Sequence, residues 1–404
     1  MNKLKLLVVY PEMMVGGSTT SLLAFLNCID TDQYDVDLQL YKNRGPLMGD
    51  IPSSTHLLPE AFTCSGTVGS LVKKAKFLLS GECLRAKKEN RKNGFGGYSS
   101  QVLADFQANH LSRRSRKEYD IAIGFLEGWA DRYVASRTNA KKKIGWLHNT
   151  FANIAAIPYL ERSWMERMDQ LIFVADNCTE DFCRTMPDMA HKAATILNII
   201  DSKLLLKRAE KEPMDDEAFL RMKNTDCFKI VTVCRMSTYH KGLDRAVWCA
   251  KKLKDSGRTF LWTIVGDGPD FASIQQMIRE HDLSEHMVMI GNRLNPLPFI
   301  KEADVFCMPS RYEGKPMVIT ESMILGTPPF VTEYLSAKEQ IQNGVDGVIA
   351  DNGDDTMFPI LNDYMEHPER IRQMKEYLQS HEYGNASYMR EIEENFLYIG
   401  DNHE

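Results

Sequence analysis

Short apolar runs that alternate with polar, helix-forming segments constrain this chain more than any other feature of its sequence. In the first half, the runs begin with LKLLVVY at residues 4 to 10. Five more follow, at 35 to 41, 120 to 127, 142 to 149, 169 to 176 and 193 to 200. Runs that are apolar almost throughout are typical of parallel strands buried on both faces and connected by helices. The first half is therefore predicted to form a doubly wound α/β domain.

The same pattern starts again after residues 201 to 226, a polar and charged segment without a strand signal that we interpret as an interdomain linker. Apolar runs then occur at 228 to 236, 259 to 268, 287 to 291, 305 to 310 and 328 to 333. Helices are predicted between them, and residues 355 to 397 have a helical pattern throughout. At 404 residues the chain is also longer than one hydrophobic core usually grows.

We therefore expect an α/β fold with two Rossmann-like, doubly wound domains. Ligands of such open sheets bind at the carboxyl ends of the strands, so the two domains are expected to face a cleft. The expected boundaries are an N-terminal domain over 1–200, the linker over 201–226, and a C-terminal domain over 227–380. A final helical segment over 381–404 is expected to return to the N-terminal domain.

The composition is that of an ordinary globular protein, with 43% hydrophobic and 26% charged residues. No run approaches the roughly 18 to 20 apolar residues of a membrane-spanning helix, and the first residues lack the features of a secretory signal. The nine cysteines follow neither a zinc-binding nor a disulfide pattern. We therefore expect reduced thiols, no bound metal and a cytoplasmic location.

The net charge of -6 conceals a basic segment over residues 71 to 117, which holds twelve Lys and Arg against three Asp and Glu. It begins beside SLVKKAKFLL, an amphipathic stretch at 70 to 79. Such segments bind anionic membrane surfaces, although a solvated helix and loop would have the same pattern. Nucleic acid is not an expected partner, because the chain is acidic overall and has no nucleic-acid-binding motif.

Strand-end turns of the second domain carry the residues best suited to bind a phosphorylated ligand. Arg235 ends one apolar run, and Lys241 precedes Gly242 at a predicted helix start. Two cations beside a helix N-terminus suit a diphosphate, although basic residues at strand ends are usually just solvated. The turns at 266 to 269, 291 to 293 and 310 to 317 lie at the same end of the predicted sheet.

The last of these turns is the most specific. Glu313 precedes a helix that is predicted to start at Pro316, and Glu321 follows eight residues after Glu313. The free backbone N-H groups of Met317 and Val318 could bind an anion there without a charged side chain.

Together with VCRMSTYHKGLDRAV, IVGDGPD, FIKEADVFCMPSRYEGKPMVITESMILGTPPFVT and NGVDGVI, this Glu-x7-Glu pattern resembles the donor-binding domain of glycosyltransferase family 4 over residues 228 to 350. The resemblance implies the GT-B fold and a retaining sugar transfer from a nucleotide-sugar substrate, without a metal or other cofactor. The N-terminal domain would then receive the acceptor and the C-terminal domain would bind the donor.

The resemblance also implies a role for individual residues. Arg235, Lys241 and the amides of Met317 and Val318 would hold the donor diphosphate. Glu313 would meet the transferred sugar and act in catalysis, Glu321 would bind the ribose, and the turn of Gly291, Asn292 and Arg293 would contact the base. Lys315 departs from the Phe that is frequent in the family, which leaves the sugar itself open.

The N-terminal domain offers fewer candidates. Gly16 and Gly17 lie between the first strand and a helix that Ser18 could cap, where the family closes a glycine-rich loop over the donor. His148 follows a predicted strand and resembles the family residue beside the reacting sugar. Glu127 ends another run and is a candidate acceptor contact, although a solvated strand end explains it equally well.

The resemblance therefore implies a retaining, metal-independent hexosyltransferase, and the basic segment suggests a place at the inner face of the cell membrane. The enzyme would transfer a sugar from a UDP-sugar donor to a lipid-linked or saccharide acceptor. The acceptor would be, for example, a polyprenyl-diphosphate-linked sugar in capsule or exopolysaccharide synthesis. Two alternatives stay open. One is an enzyme related to the nucleotide-sugar 2-epimerases, and the other is a catalytically silent partner with the same fold.

Overall fold

The computed structural model describes residues 3–62, 78–79, 81–93, 98–151, 154, 156–313, 315–334 and 336–398. The chain divides into two compact units. The first unit comprises Met1–Ile199 together with Ala386–Glu404, and the second comprises Ile200–Asn385.

The first unit is built on a seven-stranded sheet of order β3-β2-β1-β4-β5-β6-β7, and every pairing in it is parallel. Its strands are β1 (Leu4–Tyr10), β2 (Tyr34–Leu40), β3 (Thr55–Leu57), β4 (Glu118–Gly124), β5 (Asn139–Leu147), β6 (Gln170–Phe173) and β7 (Ala193–Thr195). The central strand β1 is buried on both faces from Leu6 to Tyr10. This is why it reads as a continuous apolar run rather than an alternating one.

Helices connect these strands. They are α1 (Gly17–Cys28), α2 (Gly81–Asn93), α3 (Tyr98–Leu111), α4 (Trp129–Arg137), α5 (Pro158–Met165) and α6 (Asp176–Thr185), with 3-10 turns at Met48–Asp50 and Pro187–Lys192. Phe25 of α1 packs against Phe125 and Trp146, whose rings stack 4.8 Å apart between the ends of β4 and β5. This aromatic cluster supports the loops that follow the two strands.

The second unit has a six-stranded parallel sheet of order β10-β9-β8-β11-β12-β13. Its strands are β8 (Phe228–Val233), β9 (Phe260–Val265), β10 (Met287–Gly291), β11 (Val305–Met308), β12 (Pro329–Thr332) and β13 (Val348–Ala350). Its helices are α7 (Ser202–Ala209), α8 (Glu217–Lys223), α9 (Thr238–Lys241), α10 (Leu243–Asp255), α11 (Phe271–Glu280), α12 (Leu297–Glu302), α13 (Met317–Ile324), α14 (Ala337–Gln340), α15 (Met357–Glu366) and α16 (Pro368–Gln379).

The prediction of a linker over residues 201 to 226 is wrong. The segment forms α7 and α8, which belong to the second unit. Each helix is capped by an aspartate side chain, Asp201 or Asp216, which accepts two backbone N-H bonds. Their buried residues, among them Leu205 and Phe219, join one of the two hydrophobic clusters of that unit. Tertiary packing therefore stabilises two helices that would be too short to form alone.

The last helix, α17 (Tyr388–Asn395), belongs to the first unit. Met389 and Ile392 are buried, and the Glu393 carboxylate accepts the backbone N-H of Asp30 at 2.7 Å. The predicted helical segment starts later than residue 381, because Asn385 still exchanges hydrogen bonds with Ile200 in the second unit. No helix of the described ranges is both long and apolar enough to span a bilayer.

Candidate functional site

Two glycines bring the strand-end turns of the second unit together. Gly242, between α9 and α10, has a φ of +61°, and a Cβ there would lie 1.9 Å from the carbonyl oxygen of Pro309. Gly266, after β9, has a φ of +141°, and a Cβ there would lie 1.9 Å from the carbonyl oxygen of Cys234. Only glycine fits these positions. The turns after β8, β9 and β11 therefore pack directly on one another.

This packing joins two of the predicted site residues. The Nζ atom of Lys241 donates to Oε1 of Glu313 at 2.7 Å. The Glu313 side chain is 9% exposed and the Lys241 side chain 25% exposed. The cation assigned to the diphosphate and the carboxylate assigned to the sugar thus form one ion pair. A diphosphate bound by Lys241 would lie next to Glu313.

Arg235 differs from Lys241, although it lies in the same turn. Its side chain is exposed, and within the described ranges no group pairs with its guanidinium. Cys234, directly before it, is not a candidate nucleophile, because burial raises the pKa of its thiol to about 12. Arg235 is therefore free to bind a ligand. Lys241 can bind one only if it breaks its ion pair with Glu313 or shares its N-H donors between Glu313 and the ligand.

Arg311 holds the loop that carries Glu313 in place, and no motif in the sequence identifies this residue. Its guanidinium makes a two-pronged contact with Asp244, at 2.8 and 2.7 Å, and reaches Asp354 at 3.0 Å. Its backbone N-H also donates to the carbonyl of His240 at 2.9 Å. These bonds hold the loop against the turn that carries Lys241. The one available signal was an arginine two residues before Glu313, which is weak without knowledge of its distant partners.

Helix α13 opens beside this ion pair. Pro316 is its N-cap rather than its first helical residue, and no side chain caps the helix. Within the described chain, the backbone N-H groups of Met317 and Val318 have no hydrogen-bond acceptor. Free N-H groups at a helix N-terminus carry a partial positive charge that attracts anions. These amides are therefore available to a ligand, and their role in binding stays a prediction.

Glu321 is the fifth residue of α13. No hydrogen bond to its carboxylate occurs among the residues that the structure describes. Burial raises the pKa of this carboxyl to about 7, and the positive charge of Arg208 opposes the shift. Arg208 belongs to α7, in the segment that had been predicted to be a linker. Glu321 is therefore a half-buried carboxyl group without a hydrogen-bond partner among the described residues.

The turn after β10 holds the three residues that were assigned to the base. Gly291 ends the strand with a φ of +73°, and Asn292 is exposed. The Arg293 guanidinium pairs with Asp216, the N-cap of α8, and also donates to the carbonyl of Ile290. The charge of Arg293 is thus used inside the second unit, where it fixes the turn and leaves Asn292 accessible.

In the first unit, Glu127 and His148 lie together after β4 and β5. The Glu127 carboxylate accepts the backbone N-H of His148 at 2.8 Å and a hydrogen bond from the side chain of Asn149. Glu127 therefore ties two loops of its own unit, a use that the sequence analysis did not foresee.

The His148 ring packs 5.5 Å from that of Phe125. Burial lowers its pKa, while the charge of Glu127 opposes the shift, so the ring is neutral at neutral pH. Its Nε2 atom is shielded from solvent and has no hydrogen-bond partner in the described part of the chain. A shielded, unpaired ring nitrogen is available to a bound molecule.

Gly16 and Gly17 mark the start of α1. Gly16 is the N-cap with an extended φ of 170°, and the space a Cβ would occupy is open. Neither packing nor backbone conformation demands a glycine at that position. The prediction that Ser18 caps the helix is wrong, because its hydroxyl pairs with that of Tyr10 at 2.8 Å and no side chain caps α1.

A buried carboxyl group of the first unit was also missed. Asp131 of α4 is fully buried, and both its oxygens lack a hydrogen-bond partner among the described side chains. Gly124 and Gly145 make room for it, since a Cβ at Gly124 would lie 2.3 Å from Oδ1 of Asp131. Burial raises its pKa well above the ordinary range, and the charge of Glu127 adds to the shift. A single Asp in a helix gives no sign in the sequence that its side chain is buried.

Part of the second unit resembles a known protein family. Residues 216–381 match the family model described as "Glycosyl transferases group 1". The match lies entirely within the second unit.

Among curated relatives, the amylovoran biosynthesis glycosyltransferase AmsK of Erwinia amylovora is 32% identical over 162 residues, which cover 38% of this chain and 39% of AmsK. The putative glycosyltransferase EpsF of Bacillus subtilis is 27% identical over 191 residues, which cover 44% of this chain and 48% of EpsF. These matches thus span less than half the length of either relative.

Solved structures are similar over nearly the whole chain. Anabaena HepE in complex with UDP has a TM-score of 0.64 at 16% identity and covers 98% of this chain and 100% of its own. A glycosyltransferase from Rickettsia africae has a TM-score of 0.66 at 15% identity and covers 100% of both chains. At such low identity the likeness shows the fold alone. The GT-B fold predicted from the sequence is confirmed.

Proposed function

We propose that this protein is a glycosyltransferase that takes a sugar from a nucleoside-diphosphate donor held by its second unit. One observation carries the proposal: the 2.7 Å pair of Lys241 and Glu313 stands at the uncapped start of α13, a few residues before the unpaired Glu321. A cation, free amides and two carboxyl groups are the partners that a diphosphate, a sugar and a ribose require. The family match over the same unit supports this proposal.

In the proposed reaction, the second unit stabilises the departing nucleoside diphosphate. Arg235, Lys241 and the amides of Met317 and Val318 donate to its phosphate oxygens as negative charge develops there. Lys241 shares its three N-H donors between Glu313 and the diphosphate, and Glu313 orients the sugar. Glu321 accepts hydrogen bonds from the ribose hydroxyls.

We further propose that transfer retains the anomeric configuration. The acceptor hydroxyl attacks from the face that the diphosphate leaves, and its proton passes to the departing phosphate oxygen. His148 contributes a neutral ring nitrogen beside the sugar, and its unpartnered Nε2 supports this role. Glu127 holds His148 in place, and Gly16 and Gly17 allow the donor to approach the start of α1. A role for Glu127 in acceptor binding belongs to the same proposal.

Uridine diphosphate is the proposed nucleotide. HepE, which shares the fold, has been solved with UDP and with UDP-glucose. The exposed Asn292, in a turn that Arg293 holds rigid, would meet the base.

The proposed transfer requires no metal or other cofactor. Two Asp-x-Asp triplets, at residues 30 to 32 and 35 to 37, could have suggested metal-dependent transfer. Asp37 is buried and accepts hydrogen bonds from Lys117 and Tyr119, while Asp30 accepts them within its own turn. We expect full activity in excess EDTA. Loss of activity that Mg²⁺ or Mn²⁺ restores would contradict metal independence.

The proposed acceptor is a polyprenyl-diphosphate-linked or free saccharide in capsule or exopolysaccharide synthesis, met at the cytoplasmic membrane face. The relative AmsK acts in amylovoran biosynthesis, which supports this assignment. Residues 70–77 of the amphipathic stretch, and residues 80 and 94–97 of the basic segment, lie outside the described residues. Nearby, Leu78, Leu79 and Leu84 are exposed next to the basic residues of α2. We propose that this region makes a peripheral contact with anionic lipid.

A thermal-shift screen of nucleoside-diphosphate sugars tests the donor assignment. A ligand at 100 times its Kd should stabilise the wild type by about 2.7 kcal/mol. The same ligand should have little effect on Arg235→Ala/Lys241→Ala. Arg279→Ala/Arg372→Ala, which removes two exposed cations from other helices of the second unit, is the charge-matched control. A wild type that no nucleoside-diphosphate sugar stabilises would rule out the proposal.

A further inference from the structure

A groove of about 830 Å³ lies within the first unit, on the sheet face beside β2. Gln39, Tyr119 and Tyr133 line it together with two loops, Leu58 to Ala61 and Arg113 to Lys117. Tyr119 lies five residues, or roughly 16 Å of strand, before Gly124 at the end of β4. Glu127 and His148 follow the opposite ends of their strands. Gln39, however, is level with Gly124, because both pair with Val9 of β1. The groove therefore runs along the strands from the level of Tyr119 towards the edge of the sheet that carries Glu127 and His148.

Hydrogen bonds hold both loops of the groove in place. Backbone N-H groups of Leu58 and Ala61 donate to carbonyls of β2, and the Gln39 side chain donates to the carbonyl of Pro59 at 2.8 Å. Across the groove, the N-H of Arg113 donates to the carbonyl of Ala61, and that of Ser115 donates to the carbonyl of Arg137, both at 2.9 Å. The cavity thus exists before a ligand arrives.

Most of the positively charged side chains that line the groove have no acidic partner among the described residues. Lys117 is bound by Asp37 at 2.8 Å, but Arg113, Arg114 and Arg116 are exposed, and no described group pairs with their guanidinium groups. Glu60 is the one acidic residue among those that line the groove. Exposed arginines are usually only solvated. Here three of them line one concavity, where the field of like charges is concentrated and attracts anions.

We propose that this groove binds a phosphate-class anion. The guanidinium group presents a planar fork of donors that matches phosphate oxygens, and three forks in one cavity suit a diphosphate or a pair of phosphates. The volume lies in the range of pockets for whole small molecules and far exceeds what inorganic phosphate would fill. The anion is therefore one end of a larger molecule. A lipid headgroup and a soluble phosphorylated molecule share this chemistry.

The test is titration calorimetry with inorganic diphosphate in the background Arg235→Ala/Lys241→Ala, which removes the proposed donor site. This background should still bind diphosphate. The added triple change Arg113→Gln, Arg114→Gln and Arg116→Gln should raise the Kd at least tenfold. The control is Arg279→Gln, Lys301→Gln and Arg372→Gln, three exposed cations of the second unit with the same charge change, which should alter the Kd less than twofold. Thermal melts verify that each variant is folded.

Two results would overturn the proposal: no diphosphate binding in the donor-site background, or equal weakening by the arginine triple and the control triple. Failure of the donor assignment is a separate result, since Arg235→Ala/Lys241→Ala would then leave nucleotide binding unchanged. Flotation with phosphatidylcholine vesicles, with and without phosphatidylglycerol, identifies the source. If the triple change abolishes recovery with anionic vesicles, the ligand is a lipid headgroup. If it weakens diphosphate binding alone, the ligand is a soluble phosphorylated molecule.

Discussion

The two units carry their candidate residues in opposite states. In the second unit, Lys241 and Glu313 form an ion pair at 2.7 Å beside an uncapped helix start. In the first unit, His148 is neutral and its Nε2 is shielded from solvent, while Glu127 is committed to the backbone and side chain of the neighbouring loop. The second unit thus carries groups that bind a charged ligand. The first unit holds a neutral ring that can contact a substrate. Variants that separate binding from turnover test this difference.

Glu313→Ala should have the largest effect. We expect kcat to fall by at least about 100-fold, because the carboxylate that orients the sugar in the transition state is lost. Glu339→Ala removes an exposed carboxylate near Lys315 and should stay within about twofold of the wild type. Steady-state assays of both variants check this. Near-wild-type turnover in Glu313→Ala would remove Glu313 from the mechanism.

The two cations should differ in strength. Arg235→Ala loses one charge-assisted hydrogen bond to the diphosphate and should raise the donor Kd about tenfold. Lys241→Ala also leaves Glu313 unpaired beside the diphosphate and should raise it about 100-fold. Calorimetry with Lys241→Ala, Glu313→Ala and the double variant isolates this repulsion, since the double variant should bind more tightly than Lys241→Ala. If the two single cation variants bind equally, the 2.7 Å pair has no influence on binding.

Glu127→Gln tests the first unit. The amide accepts fewer hydrogen bonds than the carboxylate, so the loop of His148 should loosen and kcat should fall about tenfold. The donor Kd should not change, because the donor is bound by the other unit. Glu118→Gln, in which an exposed glutamate holds Asn139, is the matched control. If the donor Kd rises by the same factor as kcat falls, the first unit also contributes to donor binding, and binding and turnover are not divided between the units.

The smallest effect concerns pH. Burial raises the pKa of Glu321 to about 7, and only its ionised form accepts bonds from both ribose hydroxyls. Donor affinity should therefore rise from pH 6 to pH 8, by up to about tenfold, and binding at pH 7 should release protons. Glu321→Gln should bind more weakly and lose this part of the dependence, while titration of the donor phosphates affects both proteins equally. Identical pH profiles would place Glu321 outside the site.

Most of the fold could be predicted from the sequence, because strands buried on both faces are apolar throughout. The strands β3 and β13 were missed, since each has only three residues. The equally short β7 was found because an apolar run continues from it to residue 200. The segment 201 to 226 was misread for a related reason. Its helices of eight and seven residues depend on packing against the second unit, which no local pattern reveals.

The site could be predicted in part. Arg235, Lys241, Glu313 and Glu321 stand at motif positions, and glycines such as Gly242 mark the turns that bring them together. The ion pair of Lys241 and Glu313 could not be foreseen, because it joins residues 72 positions apart. For the same reason the contacts of Arg311 with Asp244, and the shielding of Glu321 near Arg208, became visible only in the folded chain.

The first unit is discontinuous in sequence, and this has a consequence for synthesis. A ribosome makes residues 386 to 398 only after the whole second unit, so α17 is the last described helix to emerge. Until then, the surface that later covers Met389 and Ile392 is exposed to water, and the backbone N-H of Asp30 lacks its hydrogen bond to Glu393. The nascent first unit must therefore persist incomplete while nearly two hundred further residues are translated.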